Sequence, residues 1–315
     1  MLKVVFTIKA PHDLADMAMK ASSREFLQLA EKAAQLLAQE SGRIGSLCIT
    51  GRLVEAPPLG EAIIIGDLHG DLESLTQILG DSNFVEKAKD DKDILLIFLG
   101  DYGDRGIHSP EVYYVVLKLK KLFPERVILM RGNHEGPDDL LASPHDLPTH
   151  LNMKFGENSS EVYLKLRRLF NYLYTAVLIN ERYILLHGGV PSQATTIDDI
   201  AYAHEKHPRE LHLEEILWSD PWEGIKGTYA SPRGAGRLFG ENVTAKLLKM
   251  LGVRALIRGH EPSEEGFKTN HSGKVLTIFS RRGPPYHNHY GAYLYLNLSR
   301  KIEKTRQLLQ SIRTF

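Results

Sequence analysis

The feature of this sequence that most restricts its fold is a set of short apolar runs, most of them followed by glycine and by Asp, His or Asn. Runs of this length bounded by Gly, Asp or Pro are typical of strands buried in a sheet. We predict strands at Ala62–Ile65, Ile94–Leu99, Val127–Met130, Tyr183–Leu186, Ala255–Ile257, Val275–Phe279 and Ala292–Leu298.

Segments with helical composition lie between and before these runs. The predicted helices are Arg24–Glu40, Leu72–Leu79, Pro110–Phe123 and Ser160–Tyr174. Strands that alternate with helices indicate an α/β fold in which helices cover the sheets. Without a repeat or a clear linker, the simplest division is a helical N-terminal extension over residues 1–58, packed on the core, and one main domain over residues 59–315.

Polar side chains follow five of the predicted strands. Strand ends in α/β folds open into one crevice, where ligands bind, and glycine lets a ligand approach the backbone closely. The residues concerned are Asp67, His69, Asp101, Asp104, Arg105, Asn133, His134, His187 and His260.

This set contains oxygen and nitrogen donors and no thiolate, which suits Mn, Fe or Zn. Asp67 and His69 are placed to share one ion, and the carboxylate of Asp101 can bridge two. Two ions about 3.5–4 Å apart with a bridging hydroxide hydrolyse phosphate esters. Each residue taken alone is equally typical of ordinary loop polarity or of a turn. Five such loops in one chain favour a two-metal centre.

Composition excludes other classes of function. Lys+Arg and Asp+Glu both number 39, so the formal net charge of zero argues against a nucleic-acid binder and gives no attraction to anionic membranes. The single cysteine, Cys48, suggests a reducing compartment or a hot environment that disfavours thiols. No basic segment with an apolar core opens the chain, and no apolar run approaches the roughly 20 residues of a spanning helix. We therefore expect a cytoplasmic protein with no nucleic-acid or membrane partner.

Three motifs, in this order, resemble the signature blocks of the phosphoprotein phosphatase family of metallophosphatases: GDLHG (66–70), GDYGDRG (100–106) and RGNHE (131–135). Further matches are LHGG (186–189), LWSDP (217–221), RGAGRLFG (233–240) and RGHE (258–261). The resemblance covers roughly residues 55 to 298. It implies a calcineurin-like metallophosphatase fold, a central β-sandwich flanked by helices, and makes residues 59–315 its catalytic domain.

The resemblance also implies a role for the polar residues of the matching motifs. His134 would be the general acid that protonates the leaving oxygen, with Asp104 orienting its imidazole, and such a carboxylate favours the proton-donating imidazolium. Arg105 and Arg233 would clamp the phosphate, which Asn133 would also contact. Two divalent ions, Mn²⁺ or else Fe and Zn, would be held by Asp67, His69, Asp101, Asn133, His187 and His260. Asp220 of LWSDP would not bind metal or phosphate itself but would support the residues that do.

Two segments depart from the family pattern. The position aligned with a phosphate-contacting tyrosine is Pro284, and Tyr286 follows two residues later. Tyr286 either takes that role in substrate binding or is a surface tyrosine. Residues 136–156 do not resemble their eukaryotic counterpart and are expected to form part of the substrate wall. Toxin sensitivity and regulatory subunits are therefore left open, and the departures suit a prokaryotic or archaeal member.

The function that this pattern favours is hydrolysis of phosphoserine and phosphothreonine in a protein partner, by direct attack of a metal-bridging hydroxide. The alternative is a hydrolase of diadenosine tetraphosphate or of another small phosphoester, which shares the three signature blocks. LWSDP followed by RGAGRLFG favours the protein phosphatase, because both blocks resemble the type 1/2A group. A scaffold that has lost its chemistry is a third interpretation, and the complete residue set disfavours it.

Overall fold

The computed structural model describes residues 11–300 and 305–315. Within them the helices are α1 Pro11–Lys20, α2 Ser23–Gln39, α3 Leu72–Ser82, α4 Phe84–Lys89, α5 Ser109–Leu122, α6 Leu147–Phe155, α7 Ser159–Phe170, α8 Ile197–Ala201, α9 Ala203–Lys206, α10 His212–Trp218 and α11 Glu241–Leu251. Short 3-10 helices lie at Asp138–Leu140, Gly156–Asn158 and Thr305–Ser311. In this part of the chain, no helix is both long and apolar enough to cross a membrane.

The strands are short, and most are buried. They are β1 Gly42–Ile44, β2 Leu47–Thr50, β3 Leu53–Ala56, β4 Glu61–Ile65, β5 Ile94–Phe98, β6 Val127–Leu129, β7 Ala176–Ile179, β8 Tyr183–Leu186, β9 Asp220–Pro221, β10 Thr228–Ala230, β11 Arg237–Phe239, β12 Ala255–Arg258, β13 Phe267–Asn270, β14 Val275–Ile278, β15 Ala292–Asn297 and β16 Ile312–Thr314. The seven predicted strands and four predicted helices are all confirmed, with ends that differ by a few residues.

Over the described residues these strands form two large sheets and a small one. The eight-stranded sheet has the order β1-β2-β3-β7-β8-β12-β14-β13, and the five-stranded sheet has the order β16-β15-β4-β5-β6. The third sheet, β10-β11-β9, has three strands. The predicted α/β architecture of sheets flanked by helices is confirmed.

Alternate residues of the central strands enter two hydrophobic cores. In β8, Tyr183 and Leu185 belong to the larger core, which also includes side chains of the five-stranded sheet, whereas Ile184 and Leu186 belong to a second core with α10 and α11. Successive side chains of a strand point to opposite faces, so a sheet covered on both sides reads as one continuous apolar run. This double burial explains why the runs were recognisable in the sequence.

The expectation of a helical segment over residues 1–58 is wrong for residues 42–56, which form β1, β2 and β3. In β2, Leu47 and Ile49 are buried and Cys48 is exposed, the alternation of a half-buried strand. β3 pairs in parallel with β7, so it belongs to the main sheet. The helical part is α1 and α2, and residues 1–10 lie outside the described residues. The division into an extension and a main domain stays a prediction.

A buried ion pair fastens α2 to the rest of the molecule. Lys120 Nζ lies 2.7 Å from Glu40 Oε1 and donates to the carbonyls of Pro124 and Val127. The hydroxyl of Tyr174 donates to Glu40 Oε2 at 2.5 Å. Both charged side chains are nearly inaccessible to solvent. Removal of one partner therefore leaves a buried charge without its counter-ion.

We expect Lys120→Met to lower the free energy of unfolding by about 3–5 kcal/mol, the usual cost of breaking a buried pair from one side. Urea denaturation followed by circular dichroism measures it. The double variant Lys120→Met/Glu40→Gln removes both charges and should recover part of the loss. A single variant as stable as the parent would show that the pair contributes nothing.

Candidate active site

Apart from Arg233, the predicted site residues follow the carboxyl ends of two parallel groups of strands. In the five-stranded sheet β4, β5 and β6 run parallel, and in the eight-stranded sheet β8, β12 and β14 run parallel. A bridge between Asp67 and Phe279 joins the loop after β4 to the end of β14. Both groups of loops therefore open into one crevice between the sheets, as expected for strand ends.

The backbone around this crevice is unusual. Five non-glycine residues adopt left-handed conformations, with φ of 42° at His69, 55° at Asp101, 64° at Asp104, 67° at Arg105 and 74° at His260. Such conformations cost free energy and persist where the surroundings over-determine them, as at binding and catalytic sites.

Two glycines make room for the carboxylates. A methyl group on Gly132 would lie 2.1 Å from Asp101 Oδ1, and one on Gly259 would lie 2.3 Å from Asp67 Oδ1. Any larger residue at either position would displace a carboxylate of the site.

One group of donors surrounds His69. Its Nε2 lies 3.8 Å from Asp67 Oδ2 and 3.5 Å from Asp101 Oδ2. Its Nδ1 lies 2.9 Å from the carbonyl oxygen of Gly103, to which only a protonated Nδ1 can donate. That hydrogen bond directs the lone pair of Nε2 toward the two carboxylates, the outer-sphere arrangement of histidines that bind metals.

A second group contains Asn133, His187 and His260 and shares Asp101 with the first. His187 Nε2 lies 3.4 Å from Asp101 Oδ2 and 3.0 Å from Asn133 Oδ1. Its Nδ1 lies 2.9 Å from the carbonyl oxygen of Leu99, which orients this ring in the same way as His69. His260 Nδ1 lies 2.9 Å from Asn133 Oδ1. Asp101 therefore stands between the two groups.

Two buried polar atoms of this cluster have no hydrogen-bond partner among the described residues, Asp67 Oδ2 and His260 Nε2. Buried polar groups are nearly always paired, so an orphaned carboxylate oxygen and an orphaned imidazole nitrogen in one crevice indicate a missing partner. A divalent cation beside Asp67 Oδ2 would accept its lone pair, whereas His260 Nε2 lies 3.9 Å from Asp220 Oδ1. Donor atoms of Asp101, His187 and His260 also lie within 4.8 Å of one another, and this donor set suits Mn, Fe or Zn. The residues present therefore fit a metal centre.

The electrostatics of the cluster favour added positive charge. Burial and the neighbouring Asp101 raise the pKa of Asp67 to about 7. Burial lowers the pKa of His187, but Asp101 and Asp67 outweigh burial and raise that pKa to about 9. Burial lowers the pKa of His69 to about 3, so this ring stays neutral and available as a ligand. Because the carboxylates of Asp101 and Asp67 stabilise a protonated imidazole in this crevice, they would also stabilise a metal cation bound there.

His134 lies beside the first group but is distinguished by its own carboxylate. His134 Nδ1 donates to Asp104 Oδ2 at 2.5 Å, and both side chains are buried. Burial lowers the pKa of His134, but attraction to Asp101 and the hydrogen bond to Asp104 outweigh burial and raise that pKa above its ordinary value. The backbone N–H of His134 also donates to Asp101 Oδ1 at 3.0 Å. The His134–Asp104 pair therefore favours a protonated His134 next to the predicted metal ligands.

The structure brings Tyr286 into the crevice. Its ring stacks on His69 with centroids 5.5 Å apart and meets the edge of Phe279 at 5.0 Å. Burial raises the pKa of Tyr286, and the neighbouring Arg105 counteracts only part of that shift. Tyr286 is half-buried and packs against His69, which favours the role in substrate binding over a surface tyrosine. A contact between Tyr286 and phosphate stays a prediction.

The two predicted clamps lie on different sides of the site. Arg105 is held by the carbonyl oxygens of Ser143 and Pro144. Arg233, in the loop between β10 and β11, donates from Nε to Asp220 Oδ2 at 2.6 Å. Asp220 Oδ1 accepts a hydrogen bond from Arg258 at 2.9 Å. Asp220 therefore positions Arg233 and is itself positioned by Arg258, which agrees with the supporting role predicted from the sequence. Neither Nη of Arg233 has a hydrogen-bond partner within the described part of the chain, which leaves both free for an anion.

Sequence reasoning missed the role of Glu135. Its buried carboxylate accepts the backbone N–H groups of Asp101, Tyr102 and Gly132 at 2.8, 3.0 and 3.1 Å, and the hydroxyl of Tyr113 at 2.6 Å. It therefore ties the loop after β5 to the loop after β6 and fixes the backbone of Asp101. The available sequence signal was an acidic residue directly after His134. Its burial and its hydrogen-bond partners are visible only in the fold.

Comparison with known proteins places this geometry in context. The model of the family described as calcineurin-like phosphoesterase matches residues 62–264. A probable serine/threonine-protein phosphatase of Encephalitozoon cuniculi is 38% identical over 252 residues, which are 78% of this chain and 52% of that protein. The chain thus spans about half the length of this relative. The serine/threonine-protein phosphatase 4 catalytic subunit of Saccharomyces cerevisiae is 34% identical over 69% of this chain and 68% of its own length.

Among solved structures, a protein serine/threonine phosphatase of Saccharomyces cerevisiae with similarity to human phosphatase PP5 superposes with a TM-score of 0.72. The two sequences are 25% identical, and the superposition covers 94% of this chain and 90% of the other. The similarity therefore extends over nearly the whole of both chains.

Proposed function

The chain belongs to the calcineurin-like phosphoesterase family, in its branch of serine/threonine protein phosphatases, and from that membership we propose that it hydrolyses phosphoserine and phosphothreonine in proteins with two divalent ions. The observation that carries the proposal is a single buried carboxylate, Asp101, shared by two groups of metal-type donors beside a histidine–carboxylate pair.

The first ion would be held by Asp67, His69 and Asp101, and the second by Asp101, Asn133, His187 and His260. When bound, the ions would lower the pKa of a water molecule and neutralise phosphoryl oxygens. The metals proposed are Mn²⁺, with Fe and Zn compatible with the same donors.

The proton of the leaving group comes from His134. As the bond between phosphorus and the seryl or threonyl oxygen breaks, His134 gives the Nε2 proton to that oxygen. Asp104 keeps the ring in the required tautomer, because its carboxylate accepts from Nδ1. Arg105 and Arg233 bind the phosphate oxygens, with Asn133 and Tyr286 as further contacts. We also propose a cytoplasmic location and a phosphorylated protein partner.

Arg233→Ala tests the predicted clamp that Asp220 holds. We expect kcat/KM for a phosphopeptide to fall by about 10–100-fold, since a hydrogen bond to a charged group contributes about 1.5–3 kcal/mol. Arg233→Lys keeps the charge without the planar fork and should recover only part of the loss. Steady-state kinetics measures both. Parent-like kinetics in the alanine variant would remove Arg233 from the phosphate site.

The proposed function is tested by a substrate panel on metal-loaded protein. We expect a phosphoserine protein to be turned over faster than diadenosine tetraphosphate. Faster turnover of the dinucleotide would favour the small-phosphoester alternative. Failure to hydrolyse even p-nitrophenyl phosphate would favour a scaffold without chemistry.

A further inference from the structure

The carboxylate of Asp104 receives a donor that the proposed mechanism does not use. Its Oδ1 accepts the backbone N–H of Leu147 at 2.6 Å. Its Oδ2 accepts from His134 Nδ1 at 2.5 Å and faces His145 Nδ1 at 3.2 Å. Three donors therefore converge on one buried carboxylate, and two of them share a single oxygen.

The tautomer of His145 follows from its neighbours. Burial raises the pKa of Asp104, but the hydrogen bonds from His134 and His145 outweigh it and hold that pKa far below its ordinary value. An ionised carboxylate only accepts, so Nδ1 of His145 must donate. On the other side of the ring, Nε2 of His145 lies 2.9 Å from the hydroxyl of Tyr163 in α7. Helix α7 thus anchors the ring through Tyr163.

His145 lies in residues 136–156, the part of the sequence that departs from the family pattern. The same stretch places Ser143 and Pro144 carbonyls on the guanidinium of Arg105, and Asp146 Oδ2 accepts the backbone N–H of Arg105 at 3.1 Å. Residues 143–147 therefore wrap around both Asp104 and Arg105. The segment therefore influences the site through its contacts with Asp104 and Arg105, for which the sequence predicted roles in catalysis and phosphate binding.

We propose that His145 is a positioning residue for proton transfer: with Leu147 N–H on the other oxygen, it fixes the plane of the Asp104 carboxylate and so the orientation of the His134 ring. This inference rests on the proposed function. A carboxylate held at one oxygen alone can rotate about its bond to Cβ, and the ring that hydrogen-bonds to it rotates as well. Outer-shell partners of metal-binding residues typically contribute about 10–100-fold to activity, and we expect an effect of the same order for a donor to the Asp104–His134 pair.

The consequence concerns the leaving group. A poor leaving group such as a seryl oxygen needs its proton in the transition state, whereas p-nitrophenolate leaves with little assistance. A displaced general acid therefore slows the first kind of substrate much more than the second. A residue with a merely structural role affects both kinds equally.

The experiment compares His145→Phe, which keeps a ring and removes the donor, with the parent on a phosphoserine peptide and on p-nitrophenyl phosphate. We expect kcat on the peptide to fall by about 10-fold or more, with less than about 3-fold on the aryl ester and little change in KM. Metal content should equal that of the parent. His145→Asn, which restores a short N–H donor, should recover part of the peptide activity.

Equal losses on the two substrates, or no loss on either, would overturn the positioning role. His134→Ala in the same assay distinguishes failure of the proposed function from failure of the inference about His145. If His134→Ala fails to discriminate between the substrates, the proposed acid is wrong. If it discriminates and His145→Phe does not, only the inference about His145 is wrong. Should His145→Phe not fold, Tyr163→Phe keeps an aromatic ring and removes the hydroxyl that lies 2.9 Å from His145 Nε2. Equal effects of that variant on the two substrates would equally overturn the positioning role.

Discussion

Replacement of Asp101 by alanine is expected to remove metal ions and hydrolysis together. Its Oδ2 lies 3.5 Å from His69 Nε2 and 3.4 Å from His187 Nε2, so one oxygen faces both donor groups. Because bound ions supply several kcal/mol of charge stabilisation, kcat/KM should fall by about 10³-fold or more.

Elemental analysis of protein purified without chelators, paired with phosphopeptide kinetics, measures both effects. Asp101→Asn is the matched control. In the parent, the backbone N–H of His134 donates to Asp101 Oδ1 at 3.0 Å, and the amide oxygen of asparagine can still accept this hydrogen bond. This variant should bind metal weakly rather than not at all. An alanine variant that still holds two ions would refute the bridging role.

Replacement of His134 by alanine is expected to lower turnover by about 10²–10⁴-fold, the usual contribution of general acid–base catalysis. The metal ions should stay bound, because alanine keeps the backbone N–H that donates to Asp101 Oδ1. The loss should also depend on the leaving group, large for phosphoserine and small for p-nitrophenyl phosphate.

Kinetics and metal content measured on the same preparation check this prediction. The control His134→Gln keeps a polar side chain without an imidazole proton and should be as inactive as the alanine variant on phosphoserine. Unchanged turnover in His134→Ala would exclude it as the acid. Loss of the ions from that variant would instead make His134 part of the metal centre.

The sequence predicts the strands and the positions of the ligands for one physical reason. Strands buried on both faces, such as β5 and β8, are continuous apolar runs, and the loops that leave them are short. Asp67, Asp101 and His187 each lie within a few residues of such a strand, so the strand itself positions them. Parallel order then brings the strand ends together without further information.

What the sequence could not predict depends on partners far along the chain. Strands β1 to β3 have three or four residues each, and β3 is stabilised by pairing with β7 rather than by a strong local pattern. His145 reaches Asp104 across 41 positions, through the path of the segment after β6. The same holds for Tyr286, whose stacking on His69 depends on how the loop after β14 folds back.

We propose that two ions, both held by Asp101, are needed for hydrolysis. The most direct test is a titration of chelator-treated protein with Mn²⁺, in which bound metal per chain and turnover of a phosphothreonine peptide are measured together. We expect turnover to rise in step with filling of two sites per chain. Full turnover in metal-free protein, or a plateau at one ion per chain, would contradict it.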